Sequence, residues 1–180
     1  MALGNAKSPR EKAVMALYKA GCPPNVIRHS LAVAELAMEI SRAIERNGVG
    51  LDSALVEAGA LLHDIGRSRT HGIDHAVVGA SIVREMGFPE AIARIVEVHI
   101  GAGIPADEAE ELGLPKGDYM PSTLEEKVVA YADKLIDGDR RITPEEFARR
   151  LSQALGSKHP AISRFWRLHS EISALKDRKA

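Results

Sequence analysis

A chain of 180 residues is near the size of one domain and long enough to bury a hydrophobic core without disulfides. Its 25 acidic and 24 basic residues leave a formal net charge of -1, which excludes a bulk field drawing it to nucleic acid or an anionic membrane. No apolar run approaches the roughly 18 residues of a spanning helix, the single cysteine, Cys22, has no internal partner, and no secretory signal is read at the N-terminus; together these predict a cytoplasmic protein.

Nearly every apolar pattern has helical period and none alternates with period two, so the expected fold is all-α, a single domain over 1–180. Residues 1–8 read as frayed. Pro9 opens a helix to about Lys19, stopped by Gly21-Cys22-Pro23-Pro24, where Cys22 reads as a packing or surface thiol. A long helix from about Pro24 to Arg46 ends at Asn47-Gly48. Asp52 caps the next, which runs to about Asp64 and is broken by Gly66. After a loop over 67–73, Asp74 is the expected cap of a helix ending at Gly87, and Pro89 starts another through about Ile100. The Gly/Pro-rich stretch from Gly101 to Pro121 is long for a compact domain and reads as a lid or binding loop. Ser122 and Thr123 each precede a glutamate by three residues (Glu125, Glu126), so a capping box starts a helix to about Ile136. Thr143-Pro144 opens the first of two C-terminal helices, about 144–155 and 160–176, which form an extension beyond a junction at Asp139-Arg140-Arg141.

The histidines fall on apolar faces. His29 lies four residues before Val33 on the stripe Val33, Leu36, Ala37, Ile40, Ile44. His63 lies eight residues after Leu55, beside the edge marked by Ala58 and Leu62. His75 heads the stripe of its own helix, with Gly79 one turn on permitting a close approach by backbone or ligand. His99 follows Ile92, Ile95 and Val96 at seven, four and three residues, and Asp133 stands between Val129 and Ile136 where leucine would be cheaper. One inward histidine is usually a satisfied core residue, but four of the seven histidines and two aspartates, Asp64 and Asp133, share the inward faces of five helices. Imidazole with carboxylate suits a divalent transition metal, and facing helices are how bundles build such sites. His71 sits in a loop and competes with His75 for the ligand role; His159 and His169 belong to the extension.

This ordered set, His29 in VIRHSLAVAELA, His63-Asp64-Ile65-Gly66 in ALLHDIG, His75 in HAVVGA, His99 in VEVHIGAG and Asp133 in VVAYADKLI, resembles the HD-domain superfamily of metal-dependent phosphohydrolases in its HDIG variety, over about residues 24–140. The resemblance implies an HD-domain helical bundle with a C-terminal helical extension. It implies one metal on His29, His63, Asp64 and Asp133, and a second on His75 and His99 with Asp64 bridging: one or two ions of Mn, Fe, Co, Ni or Zn. It implies hydrolysis of a small phosphorylated substrate, a nucleotide or a related molecule, by metal-activated hydroxide. Arg67 stands where two-metal HD proteins carry a phosphate-facing lysine and would grip phosphate in bidentate fashion; Lys134 is the second such candidate, with Arg69 and Arg140 behind it.

The layout is similar to small HD proteins that hydrolyse dinucleoside polyphosphates, where an AD pair is followed by arginine, as in ADKLIDGDRR. It departs from them in Ile100 after His99, where threonine is usual, and in the longer loop 101–121; the GYP motif of one cyclic dinucleotide phosphodiesterase type is missing. The same ligands serve two other readings, a di-iron oxygenase and a non-catalytic module binding a nucleotide or a partner. Phe165, Trp166 and Leu168 are expected to pack on the core, with a homodimer surface as the alternative.

Overall fold

The computed structural model describes residues 8–177. Ser8 is not frayed: its hydroxyl accepts from the Glu11 N–H and the Glu11 carboxylate accepts from the Ser8 N–H, a complete capping box opening α1 (Pro9–Ala20). Residues 1–7, read with it as frayed, lie outside the described residues. α1 closes at Gly21, at φ 78°. α2 (Pro24–Arg46) is the long helix expected, and α3 (Ser53–Leu62) is capped by Asp52, whose carboxylate accepts from the Leu55 N–H.

Three boundaries differ from expectation. α3 ends at Leu62 and hands over to a 3₁₀ turn, Ile65–Ser68, so His63 and Asp64 occupy a helix exit and not a helix interior. Asp74 does not cap α4 (His75–Glu85) with its side chain, which accepts from the Thr70 hydroxyl instead. Of the two possible boxes before α7 (Leu124–Lys134), Thr123 with Glu126 forms, while Glu125 accepts from the Asp52 N–H and ties the starts of α3 and α7 together. α5 (Glu90–Val98) follows Pro89.

The stretch 101–121 is not bare loop. It contains α6 (Ala106–Glu111) and pairs Ile104 with Tyr119, and Ile104, Ala109, Leu114 and Tyr119 make a small second core against Val77 and Ile100. After α7 the chain makes a two-stranded antiparallel hairpin, β1 (Ile136–Asp137) and β2 (Arg140–Arg141), turning at Gly138 with φ 63°. This hairpin is the one named sheet among the described residues of an otherwise helical molecule. α8 (Pro144–Leu155) and α9 (Pro160–Lys176) complete it.

α3 is buried nearly all round and is the axis on which α1, α2, α5 and α7 pack. Small residues permit that closeness: a Cβ on Gly59 would come within 2.7 Å of the Ile95 side chain. The α2 stripe Val33, Leu36, Ala37, Ile40 and Ile44 is buried as its period requires. α9 lays Phe165, Leu168 and Ile172 on α7 and α2, so these residues pack on the core, with Trp166 partly buried beside them. Cys22 is buried, its thiol 3.7 Å from the Ile65 carbonyl. Among the described residues, no helix is long and apolar enough to cross a membrane.

Candidate metal centre

Helix ends and turns aim the imidazoles. His63 and His99 are the C-caps of α3 and α5, and each places Nδ1 2.7 Å from the carbonyl three residues back, Ala60 and Val96 respectively. His75, first residue of α4, does the same with Gly72 at 2.7 Å. His29 lies within α2 and reaches the Gly138 carbonyl in the hairpin turn, also at 2.7 Å. A carbonyl only accepts, so all four Nδ1 atoms carry hydrogen, and each ring in its neutral form presents Nε2 as a lone pair. Helix carbonyls at a C-terminus lack intrahelical partners, so His63 and His99 satisfy their helices while being oriented by them.

The four Nε2 atoms converge on two carboxylates. Asp64 Oδ1 is 3.1 Å from His75 and 3.6 Å from His99, while its Oδ2 is 3.9 Å from His29 and 3.8 Å from His63. Asp133 Oδ1 lies 3.0 Å from His29 and 3.4 Å from His63. The arrangement has two halves, His29–His63–Asp133 and His75–His99, with one oxygen of Asp64 toward each. His63 also neighbours His99, their ring centroids 4.9 Å apart, so the halves are contiguous. All six sequence candidates are brought together. His71 is exposed in the loop, which leaves His75 as the histidine at the centre; His159 caps α9, and His169 bonds the Tyr131 hydroxyl at 2.7 Å.

The residues fit a divalent metal. Among the described residues His63 Nε2 and Asp64 Oδ1 are buried without a hydrogen-bond partner, and in their neutral Nδ1–H forms His75 and His99 point lone pairs at each other across 3.2 Å. Such an arrangement is repulsive unless a cation lies between. Donors about 2.0–2.1 Å from a tetrahedral ion stand about 3.3 Å apart, within the range of these contacts.

Burial alone would raise Asp64, but the imidazoles of His63, His75 and His99 outweigh it and hold the carboxyl far below its usual range. Asp133 is likewise held well below by Lys134, His63 and His29 against the effect of burial. Burial pushes His63 down, and Asp64 and Asp133 more than offset it, leaving the ring above its ordinary value. His99 falls to about 4, chiefly through burial, with the nearby Asp64 carboxylate opposing and His63 adding to the fall. The field that favours a proton on His63 favours any cation there.

Arg67 Nε donates to Asp64 Oδ2 at 2.7 Å, and Lys134 Nζ donates to Asp133 Oδ2. Both cations line the cleft of about 350 Å³ into which the centre opens. Arg69 is exposed, and Arg140 pairs with Glu146 and Asp137 in the hairpin region. The expectation of a lid over 101–121 fails: Ile100, at its root, lines the cleft, and the rest of the wall comes from the hairpin and α8, through Ile136, Asp137, Ile142, Phe147 and Arg150. Sequence reasoning missed these and the Gly138 carbonyl; the Asp-Gly-Asp run after Ile136 was the available turn signal. A larger groove of about 890 Å³ lies between α1 and the α4–α5 turn, lined by Met15, Tyr18, Met86 and Phe88, with no metal-ligating side chain in its lining.

A helical bundle built round four histidines and two aspartates that converge from its helices and their ends defines the class. The chain belongs to the HD domain family, whose model matches residues 26–137. It is 53% identical over 165 residues to the uncharacterized protein MJ0778 of Methanocaldococcus jannaschii, covering 92% of this chain and 97% of that one. It is 41% identical to a tRNA (cytidine(56)-2'-O)-methyltransferase of Picrophilus torridus, over 92% of this chain but 46% of the methyltransferase. A ribonuclease Y of Acidothermus cellulolyticus is 29% identical over 76% of this chain and 24% of its own length. The chain thus spans less than half of the named enzymes it matches. Among solved structures, the HD domain of the L. monocytogenes phosphodiesterase PgpH, in complex with cyclic-di-AMP, shares the fold: TM-score 0.55 at 17% identity, over 93% of this chain and 98% of that one.

Proposed function

We propose that the protein is a metal-dependent phosphohydrolase cleaving a phosphate ester or anhydride of a nucleotide or related small molecule. The observation that carries this reading is Asp64: a buried carboxylate with one oxygen toward each pair of imidazoles and Arg67 held on it beside the cleft. In this reading His29, His63 and Asp133 would hold one divalent ion and His75 and His99 a second, with Asp64 contributing to both. Such an ion, when bound, acts as a Lewis acid that draws the pKa of water from 15.7 towards about 7. Arg67 and Lys134 receive the phosphoryl oxygens, and their ion pairs with the two carboxylates fix where those charges stand. Ribonuclease Y and the phosphodiesterase PgpH, both acting on phosphodiesters by name, support the reaction class. The methyltransferase match covers under half of that enzyme and does not say which half transfers the methyl group.

The test is a screen of protein loaded with Mn, Fe, Co, Ni or Zn against phosphomonoesters, cyclic nucleotides and dinucleoside polyphosphates. Turnover that Asp64→Asn abolishes is expected. No turnover with any metal, or an oxygen-dependent spectral change in iron-loaded protein, overturns the reading.

A further inference from the structure

The cleft has a second set of walls that the centre does not use. Ile142, Phe147 and Arg150 lie beyond the residues matched by the family model, on the segment after the hairpin and on α8. Phe147 is half-buried, its ring set against Phe165 at 4.6 Å between centroids, so one part of the ring is fixed by the core while the side chain still lines the cleft. With Ile136 and Ile142 it forms an apolar surface beside a cationic one.

The charges are divided just as unevenly. Arg67 and Lys134 stand at the carboxylates of the centre. Arg150 lines the cleft as well, but its two terminal nitrogens are committed, one to Asp137 at 3.0 Å and the other to Glu146 at 2.6 Å. A second phosphate placed there would meet Asp137 and an arginine already neutralised. A guanidinium has five N–H bonds and a carboxylate two oxygens, so the paired Asp137 and Arg150 still offer an acceptor and a donor side by side, which suits the polar edge of a base. The volume of about 350 Å³ is near the lower end of the roughly 300–1,000 Å³ of small-molecule sites, which favours one nucleoside unit over two.

We propose, resting on the phosphohydrolase reading, that Ile142 and Phe147 form the specificity surface for a single nucleoside. The base lies on Phe147 with its edge toward Asp137 and Arg150, and the lone terminal phosphate lies toward Arg67, Lys134 and the centre. The substrate is then a nucleoside monophosphate. The C-terminal extension sets specificity, because α8 supplies Phe147 and Arg150 and α9 supplies the Phe165 that holds the ring.

The experiment compares wild type, Phe147→Leu and Phe147→Tyr, all metal-loaded, on AMP, glycerol phosphate, cyclic-di-AMP and a short RNA, and measures binding of AMP and of inorganic phosphate by calorimetry. Loss of one aromatic stacking partner predicts about a tenfold rise in KM for AMP in Phe147→Leu, with a much smaller effect on glycerol phosphate and on phosphate binding. Phe147→Tyr keeps the ring and restores the wild-type KM, which separates stacking from damaged packing against Phe165. An equal loss on AMP and glycerol phosphate overturns the proposal, as does preference for cyclic-di-AMP or RNA over AMP. If no ester is cleaved, the binding arm decides alone: AMP binding weakened about tenfold in Phe147→Leu upholds the nucleoside surface while the hydrolase reading falls, and no AMP binding by wild type overturns both.

Discussion

Gly66 holds the centre together through what it lacks. A Cβ built on it would stand 1.9 Å from the His75 carbonyl oxygen, 2.7 Å from the Gly79 nitrogen and 2.9 Å from the His75 carbonyl carbon. Its φ is not left-handed, so the glycine serves the close approach of α4 and not an unusual backbone conformation. In Gly66→Ala the first contact must open by more than an ångström to approach the roughly 3.5 Å of ordinary packing. The opposing atoms are backbone, so the first turn of α4 has to move. Overpacking costs about 1–3 kcal/mol, and a backbone clash belongs at the upper end, about 3 kcal/mol. At about 2–4 °C per kcal/mol for a chain of this size, Tm falls by about 6–12 °C.

The second consequence is local. His75 lies in that first turn with Nε2 3.1 Å from Asp64 Oδ1 and 3.2 Å from His99 Nε2. A shift on the scale of an ångström breaks both contacts while leaving His29, His63 and Asp133 in place. Metal content after dialysis, measured by plasma mass spectrometry, is therefore expected to fall toward one ion in Gly66→Ala. Gly50→Ala is the control: a Cβ there meets nothing within 4 Å and no left-handed φ is involved, so scanning calorimetry should place its Tm within about 2 °C of wild type. A Gly66→Ala protein that melts with wild type and keeps its full metal content refutes the reasoning.

Divalent metal at about 100 times its Kd should stabilise the protein by about 2.7 kcal/mol, a rise in Tm of about 5–10 °C; Asp64→Asn should lose most of that shift, and an undiminished shift contradicts a shared carboxylate. The Cys22 thiol is pushed up to about 11 by burial and by the Asp64 charge. The raised value leaves only about one thiol in a thousand ionised at pH 8, so the native protein should react negligibly with a disulfide reagent at that pH, react faster as pH climbs towards 11, and show its one thiol at once in denaturant. Arg164 on α9 donates to Glu108 on α6, and both are largely buried. Glu108→Ala strands the guanidinium and should cost about 1–3 kcal/mol in urea unfolding, with Glu108→Ala/Arg164→Met recovering much of the loss; a double variant no better than the single one contradicts a pairing cost.

Helical period made the bundle legible, because α2, α5 and α7 each bury one stripe and expose the other. Caps were legible where a side chain has only one N–H within reach, as at Asp52 and Thr143. They were ambiguous at Ser122-Thr123, where two boxes compete and a tertiary contact from Glu125 to α3 decides between them. The six candidates at the centre could be found because buried imidazoles and acids interrupt apolar stripes. The cleft's other wall could not: Ile142 and Phe147 look like any apolar residues, and only the hairpin that turns at Gly138 and leads into α8 gives them a cleft to line. The sequence marks Gly79 as a point of close approach without its partners, which are the Val96 side chain, 2.9 Å from where a Gly79 Cβ would be, and the Gly66 nitrogen at 3.1 Å.

That hairpin links the metal centre to the apolar wall of the cleft. Three of the histidines are oriented by carbonyls three residues away, so their aim is set within their own turn of chain. His29 depends on the carbonyl of Gly138, 109 residues distant. The same turn carries Asp137 toward Arg150 and sets the start of the wall that ends in Phe147. A movement of the hairpin therefore reaches one ligand of the centre and the apolar wall together. The left-handed φ of Gly138 favours glycine, so Gly138→Val strains that turn while the local histidines stay aimed. The expected result is weakened metal binding at the His29–His63–Asp133 half together with a raised KM for AMP, read by calorimetric titration and steady-state kinetics. Loss of one without the other would show that the turn does not join them.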